Sequence, residues 1–449
     1  MSIFHAYDIR GVFPDEINDT TITEITQALV KYLQQKNGQQ ELTLVLGRDG
    51  RASSPELAQA VSTELIRLGV KILDVGTLST PHYYFAVKYL QADGGLQITA
   101  SHNPPQYNGL KITAREAVPL GLDNGLGEIQ RTMGEVLPSA ETPGTIEIVD
   151  TMNDYIASSE EVLPLEPDAT KLKVIADAGS GVAGLSFHDY CQTNKITCQE
   201  INFTPDGAFP HRGPDPISDP LTELTTRVVN ESADIGVAFD ADGDRLVLID
   251  EKGQKLPGDV TAGLVAVSLL KKNKDAQIIL DVRAGRDAKR AITEAGGRLV
   301  TSRVGHTFIK SLMRADGAIF AGEISGHFYF SQVGFFEAPL VVVSAILNLL
   351  AESGKKLSEL ASPLQIMARS GEVNFTVADK AKALQTLKET FGDATAESEL
   401  DGITIDYDDW WFNVRPSNTE NLLRVNLEAS TSAQRDEELA KITKILSNL

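Results

Sequence analysis

The sequence predicts a multidomain α/β protein that ends in a smaller α+β domain. A unit of strand, polar loop, helix and second strand occurs three times along the chain, and the pattern changes after residue 365. Because a strand, a crossover helix and a parallel strand form one α/β building block, three copies predict three similar mixed α/β domains. The 449 residues are enough for roughly two to four domains.

The three repeats share one order of features. In each, an apolar run rich in β-branched residues meets a polar, glycine-containing loop, followed by apolar residues at helical spacing and a second strand. The repeats begin at Leu42, Leu172 and Ala276, with the sequences LTLVLGRDGRASSPELAQAVSTELIRLGVKILDVG, LKVIADAGSGVAGLSFHDYCQTNKITCQEIN and AQIILDVRAGRDAKRAITEAGGRLVTSRVG.

The last part of the chain has a different pattern. A strand VNFTV, a helix through DKAKALQTLKETFG, the segment GITIDYDDWWFNVRPSNTENLLRVNLEAS and a final helix follow one another. This order is typical of an antiparallel α+β domain, and nothing in it requires a parallel sheet. From the changes in composition we expect domains at residues 1–145, 146–250, 251–365 and 366–449.

Composition excludes several classes of protein. The net charge of -21 argues against a nucleic-acid partner or an anionic membrane, since both need basic patches. No apolar run approaches the roughly 20 residues of a membrane span; the longest begins at Pro339 and predicts a buried helix. The start MSIFHAYDIRG lacks the features of a signal peptide. Two cysteines, Cys191 and Cys198, cannot form a disulfide framework, and we expect a cytoplasmic protein.

Three aspartates interrupt an apolar strand in ADIGVAFDADGDRLVLID. Alternate residues of an extended chain face the same side, so we expect Asp240, Asp242 and Asp244 to point together. Their charges would repel without a hard cation such as Mg²⁺, which prefers oxygen ligands. An EF-hand is a rival interpretation, but Arg245 replaces the glycine of loop position six and RLVLID is a strand. A solvated acidic turn is disfavoured by the apolar strands on both sides.

Two other loops carry candidate substrate ligands. In GAIFAGEISGHFYF, Glu323, Ser325 and His327 alternate after a strand, which suits sugar hydroxyls or proton transfer, although a polar turn with a packed histidine fits equally well. In VRPSNTENLLRV, an arginine fork and short polar residues describe a phosphate cradle. An ordinary turn explains that loop but leaves its arginine without a role. The residues of this cradle are Arg415, Ser417, Asn418 and Thr419.

The loop TASHNPPQYNGLKI combines turn residues with Ser101, His102 and Lys111. Taken alone, it is an ordinary Pro/Asn/Gly turn. Any single arginine or histidine is more often a surface residue than a ligand, but as a set the following give the local positive charge that an anionic substrate needs: Arg10, Arg48, Arg51, Arg283 and His306.

With these motifs assembled, the chain resembles the α-D-phosphohexomutase superfamily, and within it the phosphomannomutase/phosphoglucomutase group. The likeness runs the whole length in the order of that family: FHAYDIRG, LGRDGRASS, TASHNPPQYNGLKI, FDADGDR, VGHTFIK, GEISGHFYF and RPSNTENLLRV. The resemblance implies three similar mixed α/β domains plus a C-terminal α+β domain around a central cleft. One departure is SQVGFFEAPL, which keeps only Glu337 where many relatives carry an acidic segment.

The resemblance also implies roles for the residues. Ser101 matches the catalytic serine, carried as phosphoserine, and would bind Mg²⁺ together with Asp240, Asp242 and Asp244. Catalytic roles are expected for Ser101, His102, Lys111, Arg10, Arg245 and His327. Substrate binding is expected for Arg283, His306, Glu323, Ser325, His327, Arg415, Ser417, Asn418 and Thr419.

The implied reaction interconverts hexose 1-phosphate and hexose 6-phosphate. Phosphoserine 101 donates its phosphoryl group to the sugar and forms a hexose 1,6-bisphosphate, which also serves as activator. This intermediate reorients end over end in the site and returns its other phosphate to Ser101. The expected cofactor is Mg²⁺, and the expected partner is a small phosphosugar bound by a monomer or homodimer. Nucleic-acid and membrane partners are not expected.

Several alternatives stay open at this point. The proton-transfer group is one of Lys111, His102, His306 and His327, and burial near cations is expected to lower the pKa of Lys111. YDIRG and GEISGH favour mannose and glucose phosphates over an amino sugar, with a phosphoglucosamine mutase as the alternative. The same residues would also fit a phosphatase or a non-catalytic phosphosugar-binding protein, and both alternatives stay open.

Overall fold

The computed structural model describes residues 3–417 and 422–447, in which the chain forms two compact units. The first unit comprises the chain up to Leu256 together with Ser325–Ser358, and the second comprises Pro257–Ile324 together with the chain from Glu359 onward. The helices are α1 (Asp19–Asn37), α2 (Ser54–Arg67), α3 (Thr80–Tyr89), α4 (Leu126–Thr132), α5 (Met152–Val162), α6 (Ala183–Asn194), α7 (Thr222–Asn230), α8 (Gly258–Leu270), α9 (Arg286–Glu294), α10 (His306–Asp316), α11 (Pro339–Ser353), α12 (Leu357–Ala361), α13 (Lys380–Thr390) and α14 (Ser432–Leu446).

The strands follow the same chain order. They are β1 (Ile9–Val12), β2 (Thr43–Arg48), β3 (Lys71–Thr77), β4 (Gly94–Ile98), β5 (Tyr107–Ala114), β6 (Val118–Pro119), β7 (Ile146–Ile148), β8 (Lys173–Asp177), β9 (Thr197–Ile201), β10 (Ile235–Phe239), β11 (Leu246–Ile249), β12 (Gln277–Asp281), β13 (Arg298–Ser302), β14 (Phe320–Gly322), β15 (Phe328–Phe330), β16 (Phe336–Glu337), β17 (Ala368–Phe375), β18 (Ala396–Ser398), β19 (Ile403–Asp406), β20 (Trp410–Pro416) and β21 (Leu423–Ala429).

The first unit contains two mixed sheets among its described residues. One has the order β1-β5-β4-β2-β3-β7, with β6 on β5; the other has the order β11-β10-β8-β9. Strand β2 is parallel to both β3 and β4, whereas β5 is antiparallel to β1 and β4. In this register, Lys111 of β5 pairs with Gln97 of β4, and Arg10 of β1 pairs with Gly109 of β5. Both basic residues therefore lie on strands next to the loop that contains Ser101.

The second unit contains a parallel arrangement and an antiparallel sheet. Strand β12 pairs in parallel with β13 and β14. The C-terminal sheet has the order β17-β21-β20-β19-β18, with antiparallel pairing throughout its described residues. The predicted α+β character of the end of the chain is therefore confirmed.

The three sequence repeats fold as expected. Each pairs its two strands in parallel across one helix: β2-α2-β3, β8-α6-β9 and β12-α9-β13. The fold class of three mixed α/β domains followed by an α+β domain is confirmed. The apolar run from Pro339 is α11, whose residues are mostly buried. Within the described residues, no helix combines the length and apolar character that crossing a membrane requires.

Apolar side chains from alternate positions fill separate cores. Helices α1 and α2 pack on the first sheet through residues such as Leu29, Leu33 and Val61, all fully buried. Strands β8 and β10 contribute Ile175 and Ala238 to a second core. Because parallel strands are covered on both faces, their ends are where polar loops reach the surface of each core. Ser101 and the three aspartates lie in such loops, whereas Arg10, Lys111 and Arg415 lie within the strands β1, β5 and β20.

Candidate active site

Ser101 lies in the loop after β4, in a conformation that a side chain with a Cβ seldom adopts. Its φ is +49°, and the residue is 2% exposed. Its backbone N–H donates to Thr99 Oγ1 at 2.8 Å, and its hydroxyl donates to Asp240 Oδ2 at 3.3 Å. A left-handed conformation at a non-glycine residue persists only when its surroundings enforce it. The loop therefore directs the Ser101 hydroxyl at the aspartates.

Arg51 stabilises this loop through hydrogen bonds to its carbonyl groups. Its guanidinium donates to the carbonyl oxygens of Ser101 and Asn103, both at 2.6 Å, and to those of Pro104 at 2.8 Å and Tyr107 at 2.9 Å. Its Nε donates to Asp49 Oδ2 at 3.1 Å, and both side chains of this pair are at most 1% exposed. A planar fork of donors suits several carbonyls at once, which an ammonium group does not.

The three aspartates converge in a turn, not in an extended strand. The chain leaves β10 at Asp240 and turns at Gly243, whose φ is +73° and where a Cβ would lie 2.9 Å from the Ala183 side chain. Carboxylate oxygens of Asp240, Asp242 and Asp244 lie within 4.8 Å of one another. The prediction that they point together is confirmed, but the expected cause was wrong, since a glycine turn and not strand alternation gathers them.

This group of carboxylates fits Mg²⁺. The three residues are at most 4% exposed, and Asp242 Oδ1 is buried without a hydrogen-bond partner among the described residues. Burial raises the pKa of Asp240 well above its usual value, and the charges of Asp244 and Asp242 raise it further. A hard cation satisfies such oxygens and reverses that rise. Strand β11 follows at once, so the EF-hand interpretation is excluded.

Lys111 is ion-paired with the same carboxylates. Its Nζ donates to Asp242 Oδ2 at 2.8 Å and to Asp244 Oδ2. Burial alone would lower the pKa of Lys111, but Asp242 and Asp244 outweigh it and hold that pKa well above its usual value. The expectation of a lowered pKa was therefore wrong, because the charges of Asp242 and Asp244 outweigh both burial and the charge of the nearby Arg10. Thr80, at the start of α3, also donates to Asp242 Oδ2, at 2.6 Å.

The imidazole of His102 lies between the Ser101 hydroxyl and Arg245. His102 Nδ1 is 3.1 Å from Ser101 Oγ, and its Nε2 is 3.4 Å from Arg245 Nη2. Burial, with Arg245 and Arg10 nearby, holds the pKa of His102 well below its usual value. Since a guanidinium only donates, Nε2 of the neutral ring accepts and Nδ1–H points at Ser101. Arg245 N–H also donates to Asp240 Oδ1 at 3.0 Å.

Arg10 and His327 complete the polar surroundings in the first unit. Arg10 donates to Asp8 Oδ2 at 2.6 and 2.8 Å and to Asn103 Oδ1 at 2.7 Å, so it contacts the Ser101 loop. His327 Nε2 lies 3.3 Å from Asp244 Oδ1, and its Nδ1 is 3.0 Å from Ser325 Oγ. Residues 323–327 form a turn between β14 and β15, so the predicted strand alternation of this loop was wrong.

The second unit holds the remaining predicted ligands. Arg283, which is 7% exposed, donates to both oxygens of Asp281 and lies 3.7 Å from Glu323 Oε2. Asp281 Oδ2 also accepts from the backbone of Ile324, at 3.0 Å. His306 is the first residue of α10.

The predicted phosphate cradle is partly described. Arg415 is 4% exposed at the end of β20, where its Nη2 lies 3.3 Å from Glu372 Oε2. Glu372 also lies 3.7 Å from Arg283 Nη1 and 3.2 Å from Arg424 Nη1. Ser417 is buried. The other two predicted residues of the cradle, Asn418 and Thr419, lie outside the described residues.

Sequence reasoning missed three residues that the structure places among the candidates. Arg51 was treated only as one of several positive charges, and neither Thr80 nor Glu372 stood out. Arg51 contacts the Ser101 loop and Thr80 contacts Asp242, and both partners are distant in sequence. Glu372 contacts Arg415 because β17 and β20 both pair with β21. The Asp-Gly-Arg sequence after β2 was the one available signal for Arg51.

Comparisons with known proteins cover the whole chain. Models of the phosphoglucomutase/phosphomannomutase family match in order: alpha/beta/alpha domain I at residues 1–135, domain II at 153–253, domain III at 257–366, and the C-terminal domain at 372–445. These matches account for more than half of the sequence.

Individual relatives agree with the family models. The phosphomannomutase of Methanocaldococcus jannaschii is 34% identical over 450 residues, covering 100% of this chain and 98% of the relative. A protein of Xanthomonas campestris described as phosphohexose mutases is 35% identical, covering 99% of this chain and 98% of the relative. A crystal structure of a phosphoglucomutase/phosphomannomutase family protein from Burkholderia thailandensis matches with a TM-score of 0.90 at 30% identity, covering 99% of this chain and 97% of that one.

Proposed function

Because the chain belongs to the phosphoglucomutase/phosphomannomutase family and is a phosphohexomutase, we propose that it interconverts hexose 1-phosphate and hexose 6-phosphate through a phosphorylated Ser101. The observation that carries the proposal is the Ser101 hydroxyl, which lies 3.3 Å from Asp240 beside two further buried carboxylates. A phosphoserine brings roughly -1.5 to -2 charges and needs a cation beside such a group.

The proposed substrates are mannose and glucose phosphates. A relative that spans the chain is described as a phosphomannomutase, and the family descriptions name both phosphoglucomutase and phosphomannomutase, which supports the two sugars proposed. We assign Glu323 and Ser325 to the ring hydroxyls and Arg415, Ser417, Asn418 and Thr419 to the phosphate. Arg283 and His306 are further proposed substrate ligands. The proposed domains remain 1–145, 146–250, 251–365 and 366–449.

In the proposed reaction the two half-reactions mirror each other. The sugar 6-hydroxyl attacks the phosphorus of phosphoserine 101, the bond from Oγ to phosphorus breaks, and the hydroxyl proton passes to a base of the site. After the hexose 1,6-bisphosphate reorients, Ser101 Oγ attacks the 1-phosphate and the proton goes to the departing sugar oxygen. Atoms and charge balance over the cycle, and catalytic hexose 1,6-bisphosphate restores any enzyme that loses its phosphoryl group.

This chain's own residues prepare the transfer. Neutral His102 donates through Nδ1–H to Ser101 Oγ and so stabilises negative charge as the phosphoryl bond breaks. Arg245 and Arg10 supply fixed positive charge beside the loop. Mg²⁺ held by Asp240, Asp242, Asp244 and a phosphoseryl oxygen would polarise the phosphoryl group. If those carboxylates were neutralised by the cation, the interactions that raise the pKa of Lys111 would weaken, and its neutral amine could accept the proton of the sugar hydroxyl.

Kinetic measurements can identify the proton-transfer group. We propose Lys111 and His327 as the strongest candidates, since both contact Asp244 within the same cluster. The rate constant kcat of Lys111→Met and of His327→Asn, measured from pH 6 to 9, separates them. Loss of one limb of the pH profile in one variant assigns that residue, and an unchanged kcat in Lys111→Met removes the lysine.

The proposed function is tested by ³¹P NMR. Enzyme with Mg²⁺ and a trace of hexose 1,6-bisphosphate is given mannose 1-phosphate, glucose 1-phosphate or glucosamine 1-phosphate. We expect 6-phosphate signals from the first two sugars with the wild type and with Ser139→Ala, an exposed serine, and none with Ser101→Ala. Turnover by Ser101→Ala contradicts the nucleophile. Inorganic phosphate as the only product indicates a phosphatase, and turnover of the amino sugar alone indicates a phosphoglucosamine mutase.

A further inference from the structure

A second group of potential metal ligands adjoins the aspartates within the first unit. One ligand atom each of Asp244, His327 and Glu337 lies within 4.8 Å of the others. Asp244 is 4% exposed and Glu337 is 1% exposed, and the His327 side chain is 12% exposed. A largely buried imidazole beside two carboxylates differs in chemistry from the all-oxygen group of the three aspartates.

The two oxygens of Asp244 serve different groups. Its Oδ2 pairs with Lys111 on the side of Asp242. Its Oδ1 lies 3.3 Å from His327 Nε2, is buried, and makes no hydrogen bond of acceptable geometry with any donor in the described chain. A buried carboxylate oxygen without a hydrogen bond is costly. Asp244 therefore offers one oxygen that hydrogen bonding does not use, directed at an imidazole nitrogen.

His327 is oriented as a metal-binding histidine usually is. Its Nδ1 lies 3.0 Å from Ser325 Oγ, which can accept the Nδ1 proton and so leave a lone pair on Nε2, the nitrogen that lies 3.3 Å from Asp244 Oδ1. A second partner on the other ring nitrogen fixes the tautomer and the ring plane of metal ligands in this way. The ring is also stacked against Tyr329, with centroids 6.2 Å apart.

The spacing suits a small tetrahedral ion. Two ligands each about 2.0 to 2.1 Å from Zn²⁺ at a tetrahedral angle stand about 3.3 Å apart, and Asp244 Oδ1 and His327 Nε2 are separated by 3.3 Å. One imidazole with two carboxylates is a ligand set that Zn²⁺ accepts, with a fourth position left for water, whereas Mg²⁺ prefers oxygen alone.

We propose that Asp244, His327 and Glu337 form a second divalent-cation site, selective for Zn²⁺, that shares Asp244 with the aspartate group. Zn²⁺ bound there takes the imidazole of His327 and one oxygen of Asp244 while Asp240 and Asp242 stay available. This binding does not depend on the proposed reaction.

The binding experiment uses the full-length protein saturated with Mg²⁺ and titrated with Zn²⁺ by calorimetry. We expect one equivalent of Zn²⁺ to bind with an affinity that a further rise in Mg²⁺ does not change. Both His327→Asn and Glu337→Gln weaken that binding at least tenfold. Asp240→Asn removes a ligand of the aspartate group only and retains Zn²⁺ binding. The matched control is His188→Asn, because His188 and Glu200 form an exposed pair of the same types.

A spectroscopic readout keeps the proposal testable even if a variant fails to fold. X-ray absorption of the wild type loaded with Zn²⁺ in the presence of Mg²⁺ is expected to show scattering from an imidazole ring. An all-oxygen shell, displacement of Zn²⁺ in proportion to added Mg²⁺, or unchanged affinity in folded Glu337→Gln would each overturn the second site. The first two outcomes would place Zn²⁺ on the three aspartates, the third would remove Glu337 as a ligand, and all three would leave the mutase proposal intact.

Discussion

At the scale of single residues, Ser101 and Arg51 depend on each other. Ser101 has a left-handed backbone, and Arg51 Nη2 donates to its carbonyl oxygen. The same guanidinium donates to three more carbonyls of the loop, and its charge is balanced by buried Asp49. A single side chain thus supports the strained conformation that directs the nucleophile at the carboxylates.

Replacement of Arg51 by lysine is expected to lower kcat on the order of 100-fold with a small change in KM. The charge beside Asp49 is kept, but one ammonium cannot hold four carbonyls, and a shift of about 1 Å in a reacting group costs that much. Steady-state kinetics of Arg51→Lys are compared with Arg48→Lys, a partly exposed arginine paired with Asp74 at 3.3 Å. Equal kinetics in the two variants would show that Arg51 only stabilises the fold.

At the scale of secondary structure, helix α3 both contacts the aspartate group and packs against a neighbouring helix. Its first residue, Thr80, donates to Asp242, and its third, His82, is buried against another helix. His82 stacks on Tyr155 of α5, with ring centroids 4.5 Å apart, and its Nε2 is 2.9 Å from Thr151 Oγ1. Burial lowers the pKa of His82 from 6.5 to about 4, although the contact with Thr151 partly opposes the shift.

The His82 shift predicts a loss of stability in mild acid. The unfolded chain takes up a proton near pH 6.5, whereas the folded protein does so only near pH 4. Stability is therefore fully present above pH 6.5 and falls as pH drops toward 4, by up to about 3 kcal/mol. The unfolding midpoint of His82→Gln is expected to fall less than that of wild type between pH 7 and pH 5. A parallel fall in both proteins, with exposed His188→Gln as control, would contradict this origin.

At the scale of the whole molecule, local charge departs from the net charge. The chain carries -21 charges, yet the proposed substrate is an anion. Arginines cluster where phosphate is expected, and Glu372, which lies within 3.7 Å of Arg283, Arg415 and Arg424, balances only part of their charge within the second unit. The buried carboxylates of the first unit are balanced in part by Lys111. In each unit, therefore, ion pairs engage the charged groups that would bind a cation or a phosphate in the proposed reaction.

Binding of Mg²⁺ is expected to raise the thermal unfolding midpoint of the full-length protein. A ligand that binds only the folded state stabilises it by about 2.7 kcal/mol when present at 100 times its Kd. Calorimetry with Mg²⁺ or with EDTA measures the shift, which we expect to vanish in Asp240→Asn and to persist in Asp168→Asn, an exposed aspartate paired with Lys171. A shift of the same size in Asp240→Asn would exclude the three aspartates as the binding site.

The sequence by itself determined the fold class and most of the candidate residues. Three βαβ repeats, an antiparallel ending and a buried α11 follow from apolar periodicity, which is local information along the chain. The aspartate loop was likewise predicted from a few consecutive residues. The Ser101 loop taken alone is an ordinary turn, and its catalytic role was implied only by the resemblance to the family.

Only the tertiary structure decided how those loops act on one another. It gathers the aspartates through the turn at Gly243, places anions beside Lys111 so that its pKa rises, and gives Arg51 and Glu372 partners far away in sequence. It also divides the polar groups of Asp244 between Lys111 and His327. Electrostatic and hydrogen-bond energies depend on distances between atoms, and for residues on different strands those distances exist only once the chain has folded.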